Sequence, residues 1–334
     1  MSLRFMDSFS HYATAQLPLK WFSASSYAGI AAGGRWGSGC LQLGGGSVVW
    51  QAASAQPTWT VGVAFQCVVA ADERPIAILD SGTVQIDVRR DNSTGYLSVT
   101  RNGTVLATGA TATSLGLWYY LELQATINST TGSYTLRING VTELTATNVN
   151  TQATGNASAN QVRISAGGNY GAFYSWFDDV YICDGMGSVN NTFLGDVRIQ
   201  ALLPTSDGAN HAWTPSSGSD HYPLVNEVPP DGDTSYVGSS TVGQVDEYGM
   251  TTIAVSTGTV AGVQTLLYAR KDDAGTRTIA PVVREGGTDY VGTAVSLGTS
   301  YAYFPQIYEQ DPATSAAWTI AGIGADSFGV KLVS

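Results

Sequence analysis

One short stretch, WFDDVYICD at residues 176–184, constrains the fold of this chain more than any other feature. Its apolar and polar side chains alternate, which is typical of a β-strand with one buried face. Phe177, Val180 and Ile182 cannot all share one face at a strict period of two, so the sequence predicts a small bulge at residues 178–179 or a strand that begins there. Such a strand needs partners, so the rest of the chain should supply a sheet.

Candidate partner strands precede it. Residues 117–127 and 133–141 alternate in the same way and are separated by a polar turn at 128–132, which predicts a hairpin. Residues 61–107 add further short strands, joined by turns rich in Asp, Asn, Ser and Gly. Short connections of this kind join antiparallel strands, so we expect an antiparallel sheet.

The order of these segments resembles the laminin-G-like, concanavalin A-like jelly roll over roughly residues 1–185. The resemblance rests on a strand that carries Trp118, a Gly-containing turn, a strand that ends in Asn139-Gly140 and the late strand at 176–184. It implies an all-β fold, with a concanavalin A-like antiparallel jelly-roll sandwich in the first part of the chain.

Composition limits the remaining possibilities. Only 12% of the 334 residues are charged and 39 are glycine, which suits strands and turns and not long charged helices. A net charge of -11 would repel phosphate backbones, so nucleic acid is an unexpected partner. The longest apolar run, at 61–71, is about half the length of a membrane-spanning helix, so we expect no membrane.

The cysteines and the start of the chain indicate the compartment. Cys40, Cys67 and Cys183 are widely spaced and lie in apolar, strand-like contexts, so we expect reduced core residues. The first ten residues lack the apolar run of a signal peptide, which predicts synthesis without Sec export.

The sequence predicts three segments. Residues 1–203 form the jelly roll, and residues 204–241, dense in Pro, Gly, Ser and Asp, form a polar connection that packs because it carries Trp213. Alternating strands resume over 242–334 and predict a second, smaller β-sandwich.

A Gly-rich loop at 167–175 is the candidate ligand site. Asn169, Tyr170 and Tyr174 combine aromatic rings, which stack on sugars, with an amide that can bond sugar hydroxyls. The alternative is that Phe173 and Tyr174 fold back onto the core or onto a subunit contact.

Catalytic patterns are missing from the sequence. Sandwich glucanases need paired carboxylates on one strand face, whereas Glu122 stands alone and Asp178-Asp179 are consecutive. No nucleophile elbow accompanies the three histidines, and we expect His211 and His221 to be solvated or turn-bonded. We therefore expect no enzyme, cofactor or metal. Calcium at Asp178-Asp179, or at Asp231 and Asp233, stays an open alternative.

A second resemblance concerns function. The run 177–184, followed by residues 187–191, LGDVRI at 194–199 and a Trp-containing polar loop, resembles a segment of tailed-bacteriophage structural proteins, and residues 311–319 resemble their C-terminal part. It implies a non-enzymatic virion structural protein in a tail, fibre or capsid decoration, assembled in the host bacterial cytoplasm. Its partners would be copies of itself, as a homo-oligomer, and other virion proteins. The alternative is a carbohydrate-binding host-adhesion protein that uses the jelly-roll face or the 167–175 loop on host-surface polysaccharide.

Overall fold

The computed structural model describes residues 2–167 and 175–334 and is built almost entirely from antiparallel β-strands. The chain divides into two compact units, Met1–Ile199 and Gln200–Ser334. We describe each unit by itself. The predicted division at residues 203 and 241 into a jelly roll, a polar connection and a second sandwich stays a prediction.

The first unit contains fifteen strands, a 3-10 turn at Thr14–Gln16 and one short helix, α1 (Leu17–Lys20). Its strands are β1 (Leu3–Asp7), β2 (Ser23–Ala24), β3 (Ala28–Ala32), β4 (Gly39–Leu43), β5 (Ser47–Gln56), β6 (Thr58–Cys67), β7 (Glu73–Asp80), β8 (Thr83–Arg90), β9 (Tyr96–Arg101), β10 (Thr104–Ala112), β11 (Trp118–Thr126), β12 (Gly132–Ile138), β13 (Val141–Val149), β14 (Ala159–Ser165) and β15 (Ser175–Asp184).

Two antiparallel sheets form the predicted jelly-roll sandwich. The first sheet has the order β13-β12-β11-β6-β15-β4-β3, with β1 also paired to β15, and the second has the order β10-β9-β8-β7-β14-β5-β2. Their inward faces are apolar: Val61, Leu123, Ile86 and Ile164, for example, are fully buried. The three cysteines are buried and free, as predicted.

The stretch at 176–184 is β15, and it lies in the middle of the first sheet between β6 and β4. The predicted bulge is confirmed. The register with β6 shifts between Asp178 and Tyr181, and Asp179 has a φ of 49°. The predicted hairpin is also confirmed, because β11 and β12 pair antiparallel over six residue pairs from Leu121↔Ile138 to Thr126↔Ser133.

Residues 194–203 alternate apolar and polar side chains, which predicts one more strand, but the segment after β15 forms none there. Residues 192–199, which we call the strap, instead lie on the outward face of the first sheet as irregular backbone. Backbone N–H groups of the strap donate to side chains of that face: Gly195 to Glu122 Oε1 at 2.8 Å and Leu194 to the Tyr181 hydroxyl at 3.0 Å. These polar side chains satisfy the strap's backbone, so it needs no strand partner.

A buried charge cluster ties the N-terminus to the sandwich. Asp7, at the end of β1, is 1% exposed and accepts hydrogen bonds from Phe9 N at 2.8 Å, Tyr12 OH at 2.6 Å and Trp21 Nε1 at 2.9 Å. The Lys20 ammonium, on a side chain that is 1% exposed, lies 3.1 Å from Asp7 Oδ1. Buried charges are tolerated only when paired and hydrogen-bonded, so this cluster is a strong constraint on the chain's first twenty residues.

The second unit contains ten strands, a 3-10 turn at Tyr222–Leu224 and one helix, α2 (Ile320–Ala325). Its strands are β16 (Pro204–His211), β17 (Thr214–Pro215), β18 (Val237–Gly238), β19 (Val245–Met250), β20 (Val263–Ala269), β21 (Thr278–Glu285), β22 (Thr288–Val291), β23 (Val295–Ser296), β24 (Ala302–Tyr308) and β25 (Ser327–Leu332).

This unit is the smaller β-sandwich. A six-stranded sheet, β16-β19-β25-β21-β22 with β23 beside β21, packs against the two-stranded sheet β20-β24. The shared hydrophobic cluster contains Val283 and Phe328 of the larger sheet, Val263 and Tyr308 of the smaller one, and Trp318 from the segment before α2.

The start of the predicted polar connection, β16, is an edge strand of the six-stranded sheet. His221, expected to be solvated or turn-bonded, is 4% exposed, and its Nδ1 lies 2.9 Å from the buried Asp246 carboxylate. A hydrogen-bonded carboxylate supplies the polar partner that makes burial of an imidazole tolerable.

Candidate functional site

The predicted ligand residues Asn169, Tyr170 and Tyr174 lie outside the described residues. The structure describes the positions that flank them. Gly167 N donates to Glu73 Oε2 at 2.6 Å, and Ser175 is fully buried at the start of β15. Gly167 follows β14, a central strand of the second sheet, so the described residues nearest to the predicted ligand loop belong to that sheet.

Four neighbouring strands place one row of side chains across this face. Arg163 of β14 lies opposite Ala77 of β7, Ala77 opposite Asp87 of β8, and Asp87 opposite Thr100 of β9. Residues directly opposite in adjacent strands point to the same face of a sheet. The strand neighbours of this row, such as Val88 and Ile164, are fully buried in the core, so the row itself points outward.

Two further arginines adjoin the row. Arg89 follows Asp87 by two positions on β8 and therefore shares its face, and Arg74 of β7 reaches the same carboxylate. We name Arg74, Asp87, Arg89, Thr100 and Arg163 together the arginine face. It gathers three guanidinium groups around one carboxylate in a protein whose net charge is -11.

Asp87 is the buried centre of the arginine face. Asp87 is 1% exposed. Its Oδ1 accepts a hydrogen bond from the Thr100 hydroxyl, and its Oδ2 lies 3.7 Å from Arg74 Nη1. Among the described residues, Oδ2 has no hydrogen-bond partner. A buried carboxylate oxygen without a hydrogen bond is energetically costly, so Asp87 is held there by the surrounding positive charge.

The guanidinium groups are only partly neutralised. Arg89 forms an exposed ion pair with Asp72 at 3.0 Å, whereas the half-buried Arg163 forms no ion pair with any described residue, and its Nε is buried and unpartnered within that part of the chain. Burial and the like charge of Arg74 lower the pKa of Arg163. The face therefore holds at least one positive charge without a direct counter-ion.

Burial also acts on the carboxylate. It raises the pKa of Asp87, and the Thr100 hydrogen bond and the charges of Arg74, Arg163 and Arg89 oppose that rise only in part. Desolvation disfavours the charged form of a carboxyl group. A carboxylate with a raised pKa beside several guanidinium groups can bind anions through the cations and can exchange a proton through the acid.

A neighbouring loop is anchored at the same face. The fully buried Gln85 of β8 donates from Nε2 to Thr154 Oγ1, Asn156 O and Ser158 O at 2.8 to 3.0 Å, and its Oε1 accepts from Ala153 N at 2.5 Å. These bonds fix residues 153–158 beside the arginine face.

The acids that the sequence left open for calcium are engaged with protein donors. Asp178 accepts from Arg35 N at 2.9 Å and Asp179 N at 2.8 Å, and Asp179 accepts from Trp36 Nε1 at 2.8 Å and Ile199 N at 2.7 Å. Burial, with the neighbouring Asp179 charge, raises the pKa of Asp178 to about 7.

In the second unit, Asp231 accepts hydrogen bonds from Ser235, and Asp233 from Arg270 and Tyr301. No group of three or more His, Cys, Asp or Glu side chains in residues 2–167 and 175–334 is arranged to hold a metal ion. No helix in those ranges is long and apolar enough to cross a membrane.

The sequence contains a signal for the arginine face that motif searches miss. Residues 83–90, TVQIDVRR, alternate so that Asp87 and Arg89 share one face, and Arg163 stands between the core residues Val162 and Ile164. Charged residues at outward positions of central strands would have marked this face. Their assembly depends on the register of four strands, which the sequence pattern leaves undetermined.

No protein-family model matches this sequence, and no curated protein matches it either. Solved structures share the fold of about half of the chain. An endo-β-1,4-glucuronan lyase from the fungus Trichoderma reesei is 14% identical with a TM-score of 0.42, covering 55% of this chain and 95% of that one. Alginate lyase Aly36B is 11% identical with a TM-score of 0.41, covering 53% and 95%. A Trypanosoma rangeli sialidase is 13% identical with a TM-score of 0.34, covering 47% and 26%.

This comparison corrects two predictions made from the sequence. The solved structures named above are two polysaccharide lyases and a sialidase, and none of the three is a virion protein. The prediction of a non-enzymatic bacteriophage structural protein is therefore wrong, and so is the prediction that the protein is not an enzyme. The sequence argument against an enzyme considered the carboxylate pair that most glycoside hydrolases share, and the lack of that pair does not exclude other carbohydrate chemistry.

Proposed function

We propose that the first unit is a carbohydrate-active domain that binds an acidic polysaccharide on the arginine face. The observation that carries this proposal is the half-buried guanidinium of Arg163, which forms no direct ion pair with a described residue and lies in one row with Asp87. Guanidinium groups bind carboxylates in a planar, two-pronged geometry, so a uronic acid is the sugar that such a face recognises best.

The surroundings of Arg163 also suit a sugar. Gln161 and Ser165 flank it on the same face of β14, and the Thr100 hydroxyl and the loop at 153–158 add further polar groups. Sugar hydroxyls need fixed donors and acceptors near the charged contact. The resemblance of the fold to lyases whose names include glucuronan and alginate supports the choice of polyuronates as first probes.

Replacing Arg163 with glutamine is expected to weaken binding of a glucuronate or alginate oligosaccharide by roughly tenfold, because one charge-assisted contact is lost. Titration calorimetry at low salt measures the change. The matched control is Arg137→Gln, because Arg137 also has a buried, unpartnered Nε but lies on the first sheet, where it stacks on Phe193 at 3.9 Å.

The Arg137→Gln variant should bind the oligosaccharide as tightly as the unaltered protein does. Added salt should weaken binding by the unaltered protein, because salt screens the charged contacts. Equal affinity of the Arg163 variant and the unaltered protein, or equal binding of a neutral glucan, would remove the arginine face as the ligand site.

A second candidate function is cleavage of the bound chain by β-elimination, and Asp87 is the observation that favours it. A guanidinium that neutralises a uronate carboxylate makes the C5 proton more acidic, and a carboxylate with a raised pKa can accept that proton. The C5–H bond then breaks, its electron pair forms the C4=C5 double bond, the C4–O4 bond breaks, and O4 takes the proton back from Asp87.

Elimination leaves a double bond conjugated with the carboxylate, and its ultraviolet absorbance rises as chains are cut. We expect this absorbance to grow with polyuronate and to stay flat with Asp87→Asn, which cannot accept the proton. If the protein binds polyuronate tightly but the polyuronate's chain length and ultraviolet absorbance do not change, cleavage is rejected and the binding function stands.

A further inference from the structure

Asp87 places a negative charge at the centre of a face that is otherwise suited to bind anions. A carboxylate at the centre of an anion-binding face repels the anion that the face should bind. It also has an oxygen, Oδ2, that is buried without a hydrogen bond among the described residues. Both features are unfavourable for a purely structural side chain, because an asparagine of nearly the same shape would avoid the charge.

The groups that face Asp87 come from each neighbouring strand. Arg74 of β7 lies 3.7 Å away, Thr100 of β9 donates to Oδ1, and Arg163 of β14 and Arg89 of β8 are close enough for their charges to act on it. The groups of the described residues that act most strongly on the carboxylate are thus three cations and one hydroxyl, so Asp87 neutralises guanidinium groups that would otherwise repel one another.

The covering side chains can move aside. The side chains of Arg74 and Arg89 are 44% and 40% exposed, whereas Asp87 beneath them is 1% exposed. Long, half-exposed arginines change rotamer at little cost, so an arriving carboxylate can draw them outward.

We propose that Asp87 is an internal counter-ion of the ligand site. Asp87 pairs with the guanidinium groups in the free protein, and these groups turn to the carboxylate of an acidic sugar when it binds. This inference rests on the proposed function. Asp87 is here a positioning residue, because it acts on the ligand through the arginines. A protonated Asp87 cannot accept the C5 proton, so this role excludes the cleavage described above and applies to binding alone. Once the arginines bind the ligand, Asp87 is left buried beside a second negative charge, and the least costly outcome is that it takes up a proton.

Proton uptake makes affinity depend on pH with a defined sign. The pKa of Asp87 is already raised by burial, and binding raises it further because the neutralising guanidinium groups turn to the ligand. Acidification therefore favours the bound state, and affinity for a uronate should rise as the pH falls towards the range in which the ligand's own carboxylate begins to be protonated.

Calorimetric titration of the full chain with a glucuronate oligosaccharide, in two buffers of different ionisation enthalpy, tests the proposal. The unaltered protein should take up protons on binding. Asp87→Asn should take up none, bind roughly five- to tenfold tighter at neutral pH, and lose the pH dependence, because it mimics the protonated state.

The matched control is Glu122→Gln. Glu122 is fully buried and also has one unpartnered oxygen among the described residues, but it lies on the first sheet beneath the strap. This variant should keep the proton uptake and the pH dependence of the unaltered protein. Loss of both in the control would mean that any buried carboxylate has this effect, and would overturn the specific role of Asp87.

A second variant, Thr100→Val, tests the same proposal if Asp87→Asn does not fold. Thr100→Val removes the hydroxyl that stabilises ionised Asp87, so the pH dependence of binding should shift to higher pH. Binding without proton uptake in the unaltered protein, or an Asp87→Asn variant that binds no better than it, overturns the counter-ion role alone. No binding of glucuronate or alginate oligosaccharides by the unaltered protein overturns the proposed function as well.

Discussion

Replacing Asp7 with alanine is expected to lower the free energy of unfolding of the first unit by about 3–5 kcal/mol, because it leaves the Lys20 ammonium buried without its counter-ion. The loss also includes the hydrogen bonds that Tyr12 and Trp21 donate to Asp7. Chemical denaturation followed by circular dichroism measures the change.

Two further variants test whether the charge pair is the cause. Asp72→Ala, which removes an exposed ion pair with Arg89, should cost less than about 1 kcal/mol. The double variant Asp7→Ala with Lys20→Met should recover part of the loss, because no charge is then left unpaired. A single Asp7 variant as stable as the Asp72 variant would show that the buried pair adds nothing to stability.

Acid is expected to destabilise the same region through His11. Burial and the neighbouring Lys20 charge lower the pKa of His11 to about 3, against an ordinary value of 6.5. Between these values the unfolded chain binds a proton that the folded chain does not, so stability falls as the pH falls. The two values give a loss of about 3 kcal/mol between pH 7 and pH 4 from this group.

His11→Gln isolates the contribution, since glutamine can still accept a hydrogen bond from Lys20, which lies 3.2 Å from His11 Nε2. The variant should lose about 3 kcal/mol less than the unaltered protein over the same pH range. The lowered pKa of Asp7 removes further stability below about pH 4, which lies outside the range compared. Parallel stability curves for the two proteins between pH 7 and pH 4 would show that His11 is not the responsible group.

The strands of this protein could be predicted because alternation of apolar and polar residues is a local property. The stretch at 176–184 predicted β15 with its bulge, and the segments at 117–127 and 133–141 predicted the hairpin β11-β12. The strap could not be predicted, because LGDVRI alternates like a strand while its backbone bonds to side chains of Glu122 and Tyr181. A local pattern does not reveal such distant partners.

The candidate site was harder to predict, because it is a property of strand register. Arg74, Arg89 and Arg163 are far apart in the sequence, and none lies in a basic run that a charge search would detect. The loop with Asn169 and Tyr170 attracted attention because its residues are adjacent in sequence. Its role in sugar binding remains a prediction, as do the homo-oligomer and the virion location.

The strap has a practical consequence for how the jelly roll is delimited. Its last strand ends at Asp184, yet Glu122 and Tyr181 in the middle of the first sheet receive hydrogen bonds from Gly195 and Leu194. A recombinant fragment that stops where the strands stop would uncover a buried carboxylate and a phenol on the sheet. The autonomous folding unit should therefore extend to residue 199. Its last segment is irregular backbone, and the sandwich depends on it for stability as it does on a strand.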